Sequence, residues 1–129
     1  MIIKQTVIFN ASPHELYEAI IDAKKHSEFT GAKATNNEKV GGKFTSWDGY
    51  AFGKNLVLQK DKKIVQSWST ADFPEIITEI TFEFEKQGNE TKIIFTQKNV
   101  PDKNYKEIAE GWKEYYWKPL KKWLAFSRE

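Results

Sequence analysis

The chain has 129 residues, which is typical of one domain with a substantial buried core, and we expect a single domain over residues 1–129. It contains no cysteine, which excludes disulfides, zinc–thiolate sites and a cysteine nucleophile and is consistent with a cytoplasmic protein. The net charge is only +2, and no apolar run approaches the ~20 residues of a membrane span, so we expect neither a nucleic-acid partner nor a membrane span.

The start of the chain predicts a strand followed by two short helices. Apolar and polar residues alternate from Ile3 to Phe9, as in a half-buried strand rather than a signal peptide. Ser12 is predicted to cap the first helix, and Glu15 stands where the acidic residue of a capping box belongs. A second helix is predicted from Ala23 to Phe29, with Gly31 at its end.

The middle of the chain predicts an antiparallel meander of short strands separated by glycine-containing and polar turns. Alternation places residues 76, 78, 80, 82 and 84 on one face of the clearest strand, opposite a row of glutamates and threonine. On the next strand Ile93, Phe95, Gln97 and Asn99 are predicted to share that face. The predicted strands are 41–49, 50–59, 63–70, 77–85 and 91–99.

The last segment predicts one long helix over about residues 103–126, capped by Asp102. We expect Gly111 to let this helix approach a strand closely and Pro119 to kink it near Tyr115. Trp117 lies off the centre of the apolar stripe, so it is expected to form an exposed patch with Tyr115 and nearby lysines. The stripe itself comprises Tyr105, Ile108, Ala109, Trp112, Tyr116, Leu120, Trp123 and Leu124.

Catalytic and metal-binding signals are sparse. His14 and His26 lack metal-ligand spacing and are interpreted as exposed helix residues, so we expect no metal and no cofactor. Asp48 is interpreted as a turn residue that bonds its own backbone. Gln97 and Asn99 are polar on an apolar face, so they must bond each other, a backbone group or a ligand.

The aromatic residues favour a pocket. A sheet curved around one helix can leave space between them, and ligand pockets are mostly apolar with a few polar groups. Tryptophan and tyrosine supply both bulk and a polar group to a pocket wall. The candidate cavity-lining residues are Trp47, Phe52, Trp68, Phe84, Phe95, Gln97, Trp112 and Tyr116, against the plainer alternative that they simply form a packed core.

Three segments together resemble a known family. They are ASPHELYEAIID (11–22), GGKFTSWDGYAFGKNLVLQKDKKIVQSW (41–68) and GWKEYYWKPLKKWLAF (111–126). They are similar, in the same order, to that family's A-S/P-x-x-L-Y entry, G-G-x-F-x-x-x-D-G strand, G-x-x-x-x-L-x-x-x-x-x-I-V-x-x-W hairpin and G-W-x-x-Y-Y helix. On these residues the chain resembles the C-terminal-domain-like branch of the activator of heat-shock protein 90 ATPase, within the START-like (SRPBCC, helix-grip) superfamily.

The resemblance implies an α+β helix-grip fold, with a curved antiparallel sheet of six to seven strands wrapped round a long C-terminal helix. It implies a small hydrophobic or amphipathic ligand in the cavity between sheet and helix. It leaves two alternatives open: an interaction module with a chaperone partner, and a cyclase- or hydrolase-type enzyme, for which the sequence offers only Asp48 or a helix glutamate. We expect a stand-alone domain that is a monomer or weak homodimer.

Overall fold

The computed structural model of the protein describes residues 1–126. Its elements confirm the predicted α+β architecture, with two short helices after the first strand and a long helical segment at the end. The strands are β1 (Ile3–Phe9), β2 (Thr35–Asn36), β3 (Lys43–Ser46), β4 (Ala51–Gln59), β5 (Lys63–Thr70), β6 (Phe73–Gln87) and β7 (Glu90–Lys98). The helices are α1 (Pro13–Ile21), α2 (Ala23–Thr30), α3 (Tyr105–Trp112) and α4 (Lys118–Phe126), with a 3₁₀ turn at Asp102–Asn104 and a π-helical turn at Lys113–Trp117.

All seven strands form one antiparallel sheet in the order β1-β7-β6-β5-β4-β3-β2. The chain therefore meanders from β2 to β7, and β1 pairs with β7 at the far edge. The inward face of β6 and β7 carries the expected residues: Ile80, Phe82, Ile93 and Phe95 are fully buried. The helices cover this face, and the core lies between the two layers.

Local capping signals place α1 and α2 as predicted. The backbone N–H of Glu15 donates to Ser12 Oγ at 3.1 Å, and the backbone N–H of Ser12 donates to Glu15 Oε1 at 3.0 Å, so the capping box is confirmed. The α2 helix ends at Gly31, whose φ of 77° is in the left-handed region that favours glycine.

The meander differs from the prediction at its boundaries. The β3 strand stops at Ser46, because Trp47 and Asp48 have φ of 50° and 56° and turn the chain out of the sheet. The short β2 strand was not predicted, because two residues carry no detectable alternation. Asn99 also has a positive φ, of 65°, and is exposed, so the prediction that it shares a face with Gln97 is wrong.

The last helical segment contains a π-helical turn immediately before Pro119. Proline has no N–H and its ring clashes with the carbonyl four residues back, here Tyr115. The wider turn avoids that α-helical contact, and the N–H of Lys118 donates to the carbonyl of Lys113, five residues back. The expected interruption near Tyr115–Pro119 is therefore a π-helical turn, and whether it also bends the helix axis stays a prediction.

The same turn explains why the prediction for Trp117 is wrong. A π-helical turn holds one residue more than an α-helical turn, so Tyr116 and Trp117 both face the sheet and are 1% and 3% exposed. The indole N–H of Trp117 donates to Gln5 Oε1 at 2.7 Å. The expected patch therefore loses Trp117 and keeps Tyr115, which is 68% exposed, with the exposed Lys113 and Lys118 nearby.

Two further predictions about this segment are wrong. A Cβ on Gly111 would meet only a ring atom of Tyr115, at 4.0 Å, so Gly111 does not lie close to a strand. Asp102 makes no capping bond to α3, because a 3₁₀ turn begins at this residue, and its carboxylate lies 3.6 Å from the amino group of Met1.

His26 is buried, contrary to the prediction, whereas His14 is exposed as expected. A carbonyl can only accept, so Nδ1–H of His26 donates to the Ile20 carbonyl at 3.1 Å. Nε2 then accepts from Ser46 Oγ at 3.2 Å. Burial lowers the pKa of His26 to about 4, partly offset by its hydrogen bonds to backbone carbonyls, so this imidazole is neutral at neutral pH.

Candidate ligand-binding groove

A groove of about 550 Å³ opens at the end of the sheet where β5, the turn after β3 and α3 meet. Its volume lies within the ~300–1,000 Å³ that is typical of small-molecule sites. Most of its lining is aromatic or aliphatic, with a few hydroxyls and one carboxylate. The groove, as we use the term below, is lined by Thr30, Trp47, Tyr50, Trp68, Thr70, Glu107, Ile108, Gly111, Trp112, Tyr115 and Pro119.

Three tryptophans from three different elements form the inner wall of the groove. Trp68 of β5 lies in the middle, with its ring centroid 5.9 Å from that of Trp47 and 5.1 Å from that of Trp112. Trp68 and Trp112 are almost fully buried. Trp47 reaches the groove because the left-handed turn after β3 directs the chain away from the sheet at that residue.

A chain of hydrogen bonds fixes Trp112 against the sheet. Its indole N–H donates to Gln97 Oε1 at 2.8 Å, and Gln97 Nε2 donates to Thr78 Oγ1 at 3.0 Å. Thr78 in turn donates to the carbonyl of Trp68 at 2.8 Å. The side chain of Gln97 is therefore satisfied by two protein groups rather than by Asn99, whose amide donates to the carbonyl of Ile77.

A smaller pocket of about 110 Å³ adjoins the groove and shares Tyr50, Trp68, Thr70, Glu107 and Ile108 with it. Its further lining residues include Asp72, Gln97 and Asn104.

Tyr50 stands between the two spaces, and its hydroxyl donates to Asp72 Oδ2 at 3.0 Å. Burial raises the pKa of Tyr50, and the carboxylates of Asp72 and, to a lesser extent, Glu107 raise it further. The electrostatic environment at Tyr50 is therefore negative.

The structure places the eight predicted lining residues in four different surroundings. Trp47, Trp68 and Trp112 line the groove, and Gln97 lines the smaller pocket beside it. Phe52 lies on the other face of β4, because its neighbour Ala51 is fully buried and adjacent strand residues point to opposite faces. The remaining three are buried in the core, where they contact other rings: Phe84, Phe95 and Tyr116.

Sequence reasoning missed several lining residues. The sequence indicates only a strand at Tyr50 and a helix interruption at Pro119, and no pattern distinguishes Glu107 from the other helix glutamates. The available signal is Gly111, because a glycine inside a predicted helix is unfavourable relative to alanine and its missing side chain leaves space. Tyr115 was recognised as exposed but was assigned to a protein-binding patch.

The described lining of the groove carries one carboxylate, that of Glu107. Among residues 1–126 no group of three or more histidine, aspartate and glutamate side chains is arranged to hold a metal ion. Asp48 is exposed in its turn, so of the residues considered for an enzyme only a helix glutamate, Glu107, reaches the groove. No helix in the described part of the chain is long and apolar enough to cross a membrane.

Comparison with known proteins identifies the family. The family model of activator of Hsp90 ATPase homolog 1-like proteins matches residues 10–125. The chain belongs to this family. The match includes α1, the whole of β2 to β7 and nearly all of the closing helical segment, so every element that lines the groove lies within it.

Curated relatives of this family align with almost the whole chain. An uncharacterized protein of Schizosaccharomyces pombe is 30% identical over 126 residues, which is 97% of this chain and 38% of that protein. Activator of 90 kDa heat shock protein ATPase homolog 1 of Homo sapiens is 30% identical over 120 residues, 92% of this chain and 36% of that protein. The chain thus spans little more than a third of the length of these relatives.

Solved structures confirm the helix-grip fold. An HSP90 activator from Plasmodium falciparum superposes with a TM-score of 0.89 at 27% identity, covering 97% of this chain and 96% of that one. The Aha1 dimer from Colwellia psychrerythraea has a TM-score of 0.81 at 21% identity, with 94% and 93% of the two chains covered. Our expectation of a monomer or weak homodimer stays a prediction.

Proposed function

We propose that this Hsp90-activator-like domain binds a small apolar or amphipathic molecule in the groove. The observation that carries this proposal is a groove of about 550 Å³ walled by Trp47, Trp68 and Trp112. Burying aromatic surface against an apolar ligand stabilises the complex by roughly 25 cal/mol per Å² before the costs of association.

The position of the groove defines which part of the domain the ligand contacts. Deeper between the sheet and the helix, Phe82, Phe95, Tyr116 and Trp117 are in ring-to-ring contact and at most 3% exposed. A ligand therefore occupies the open end of the grip, in contact with α3, rather than the centre of the domain. Trp112 is held in place for this contact by Gln97 without any ligand.

Gly111 offers a direct test. A side chain at this position extends into the groove, since only one atom, a ring carbon of Tyr115, lies within 4 Å of a Cβ there. We expect decyl glucoside, an uncharged amphiphile, to change the tryptophan fluorescence of the wild-type protein saturably. Gly111→Leu should weaken that binding at least tenfold without lowering the free energy of unfolding.

Lys106→Leu is the matched control, because it adds the same side chain to an exposed position of α3 that does not line the groove. This variant should bind decyl glucoside like the wild type. Equal affinity of Gly111→Leu and Lys106→Leu for decyl glucoside would refute the groove as the site of that binding.

A second candidate function is interaction with the Hsp90 chaperone. It is supported by the names of the relatives, which include ATPase activators at 30% identity and an HSP90 activator with a TM-score of 0.89. Tyr115 is the feature of this chain best suited to such a contact, since its ring is 68% exposed on the helix.

The measurement is the ATPase rate of a purified Hsp90 with and without this protein, together with their association by calorimetry. Tyr115→Ala should weaken both effects, whereas Phe126→Ala should not, although Phe126 is 66% exposed as well. Absence of association at high micromolar concentration, or equal loss in both variants, would contradict this second candidate.

A further inference from the structure

The charges around the groove have one sign. Glu107 lines both the groove and the smaller pocket, and Asp72 lines the smaller pocket. Among the described residues, no lysine, arginine or histidine lines either space. This contrasts with the chain as a whole, which has 20 basic against 18 acidic residues. The groove is therefore an acidic region of a slightly basic protein.

Three polar side chains of the two spaces offer hydrogen-bond acceptors: Glu107, Asp72 and Asn104. When they are ionised, the carboxylates of Glu107 and Asp72 accept hydrogen bonds and cannot donate them. In the smaller pocket Asn104 Oδ1 is buried and accepts no hydrogen bond from the described residues. A buried acceptor without a donor is unfavourable, and a ligand that supplies an N–H would satisfy it.

The aromatic lining also favours a positively charged ligand. Five aromatic rings border the groove, those of Trp47, Tyr50, Trp68, Trp112 and Tyr115. The face of an aromatic ring is negative and attracts a cation, most strongly for tryptophan, and clusters of such rings bind organic ammonium groups. Anionic groups are repelled by the carboxylates.

We propose that the ligand of the groove is an amphipathic organic cation, with its apolar body against the tryptophans and its ammonium group near Glu107 and Asp72. This inference rests on the proposed function, because it assigns a charge to the ligand of that same groove. The exclusion of anions distinguishes it from a fatty acid or an alkyl sulfate of equal length.

Three amphiphiles with one decyl chain separate head-group charge from apolar contact: decylammonium, decyl glucoside and decyl sulfate. Titrated below their micelle concentrations at low salt and followed by calorimetry, decylammonium should bind about tenfold more tightly than decyl glucoside. Decyl sulfate should bind more weakly than decyl glucoside. Added salt should reduce these differences in affinity, since it screens the interaction between the head groups and the carboxylates.

Glu107→Gln should remove most of the preference for decylammonium over decyl glucoside, because it removes the carboxylate charge that lines both spaces. Glu110→Gln is the matched control, because Glu110 is an exposed carboxylate of α3 that lines neither space. It should keep the preference.

The outcomes separate this inference from the proposed function. The cation preference is overturned if the three amphiphiles bind equally or if decyl sulfate binds most tightly. It is also overturned if Glu107→Gln and Glu110→Gln lose the preference for decylammonium to the same extent. In each of these cases, binding that Gly111→Leu blocks still supports the groove as a ligand site. If none of the three amphiphiles binds, the proposed function fails, and the cation preference fails with it.

Discussion

Acidification should destabilise this protein through His26. The unfolded chain has an ordinary histidine pKa of 6.5, whereas burial lowers the pKa of His26 in the folded protein to about 4. As the pH falls below 6.5 the unfolded state takes up a proton that the folded state does not, so the free energy of unfolding decreases. The loss is complete once the pH falls below about 4, where the folded state is protonated as well.

The magnitude follows from the difference between the two pKa values. Each pKa unit corresponds to about 1.4 kcal/mol, so the total loss from 6.5 to about 4 is roughly 3 kcal/mol. About 2 kcal/mol of it should be lost by pH ~5. Because the imidazole is 5% exposed and contacts Phe29 and Tyr116, little of this effect is screened by solvent.

Urea unfolding followed by tryptophan fluorescence at neutral pH and at about pH 5 measures the effect. His26→Gln removes the buried imidazole, so its free energy of unfolding should decrease by about 2 kcal/mol less over this range than that of the wild type. His14→Gln, at an exposed position on α1, should retain the wild-type change. The reasoning is refuted if His26→Gln and the wild type lose equal stability, or if His26 titrates near 6.5 in the folded protein by NMR.

Three substitutions test other parts of the structure, each by the free energy of unfolding in urea. Gly111→Ala should stabilise the protein by about 0.5–1 kcal/mol, since alanine favours a helix and the added methyl group meets open space; a loss of stability would contradict the open groove. The same change at Gly53 should destabilise by about 1–3 kcal/mol, because its Cβ would collide with the Ser67 carbonyl oxygen; a neutral effect would contradict the close approach of β4 and β5. Gln97→Met should cost about 1–3 kcal/mol by leaving the Trp112 indole N–H without an acceptor, and this cost should fall sharply in a Trp112→Phe background.

Much of the fold could be predicted because its signals are local. The capping box of Ser12 and Glu15 involves residues three positions apart, and both of its hydrogen bonds form. The buried face of β6 and β7 follows from alternation, which continues through Phe82 and Phe95. The family follows from motifs that keep their order along the chain.

The candidate site could be predicted only in part. Trp68 and Trp112 were recognisable as aromatic residues on the right elements, whereas Trp47 lies in the turn after β3 instead of on the predicted strand. All three line the groove. The contributions of Tyr50 and Glu107 depend on how α3 sits against the end of the sheet. Hydrophobic periodicity within one element carries no information about the distance between α3 and the end of the sheet.

The sequence by itself determined the strand-and-helix order, the inward face of the sheet and the membership of a family, because these depend on neighbours along the chain. The tertiary structure decided the rest. His26 is buried only because α2 packs against the ring of Tyr116, and Trp117 turns inward only because the chain makes a π-helical turn before Pro119. The groove exists because the aromatic core fills the inner part of the space between sheet and helix but does not reach Gly111. Three tryptophans therefore face an open space. No periodicity in one segment could encode that, since it depends on how three segments meet.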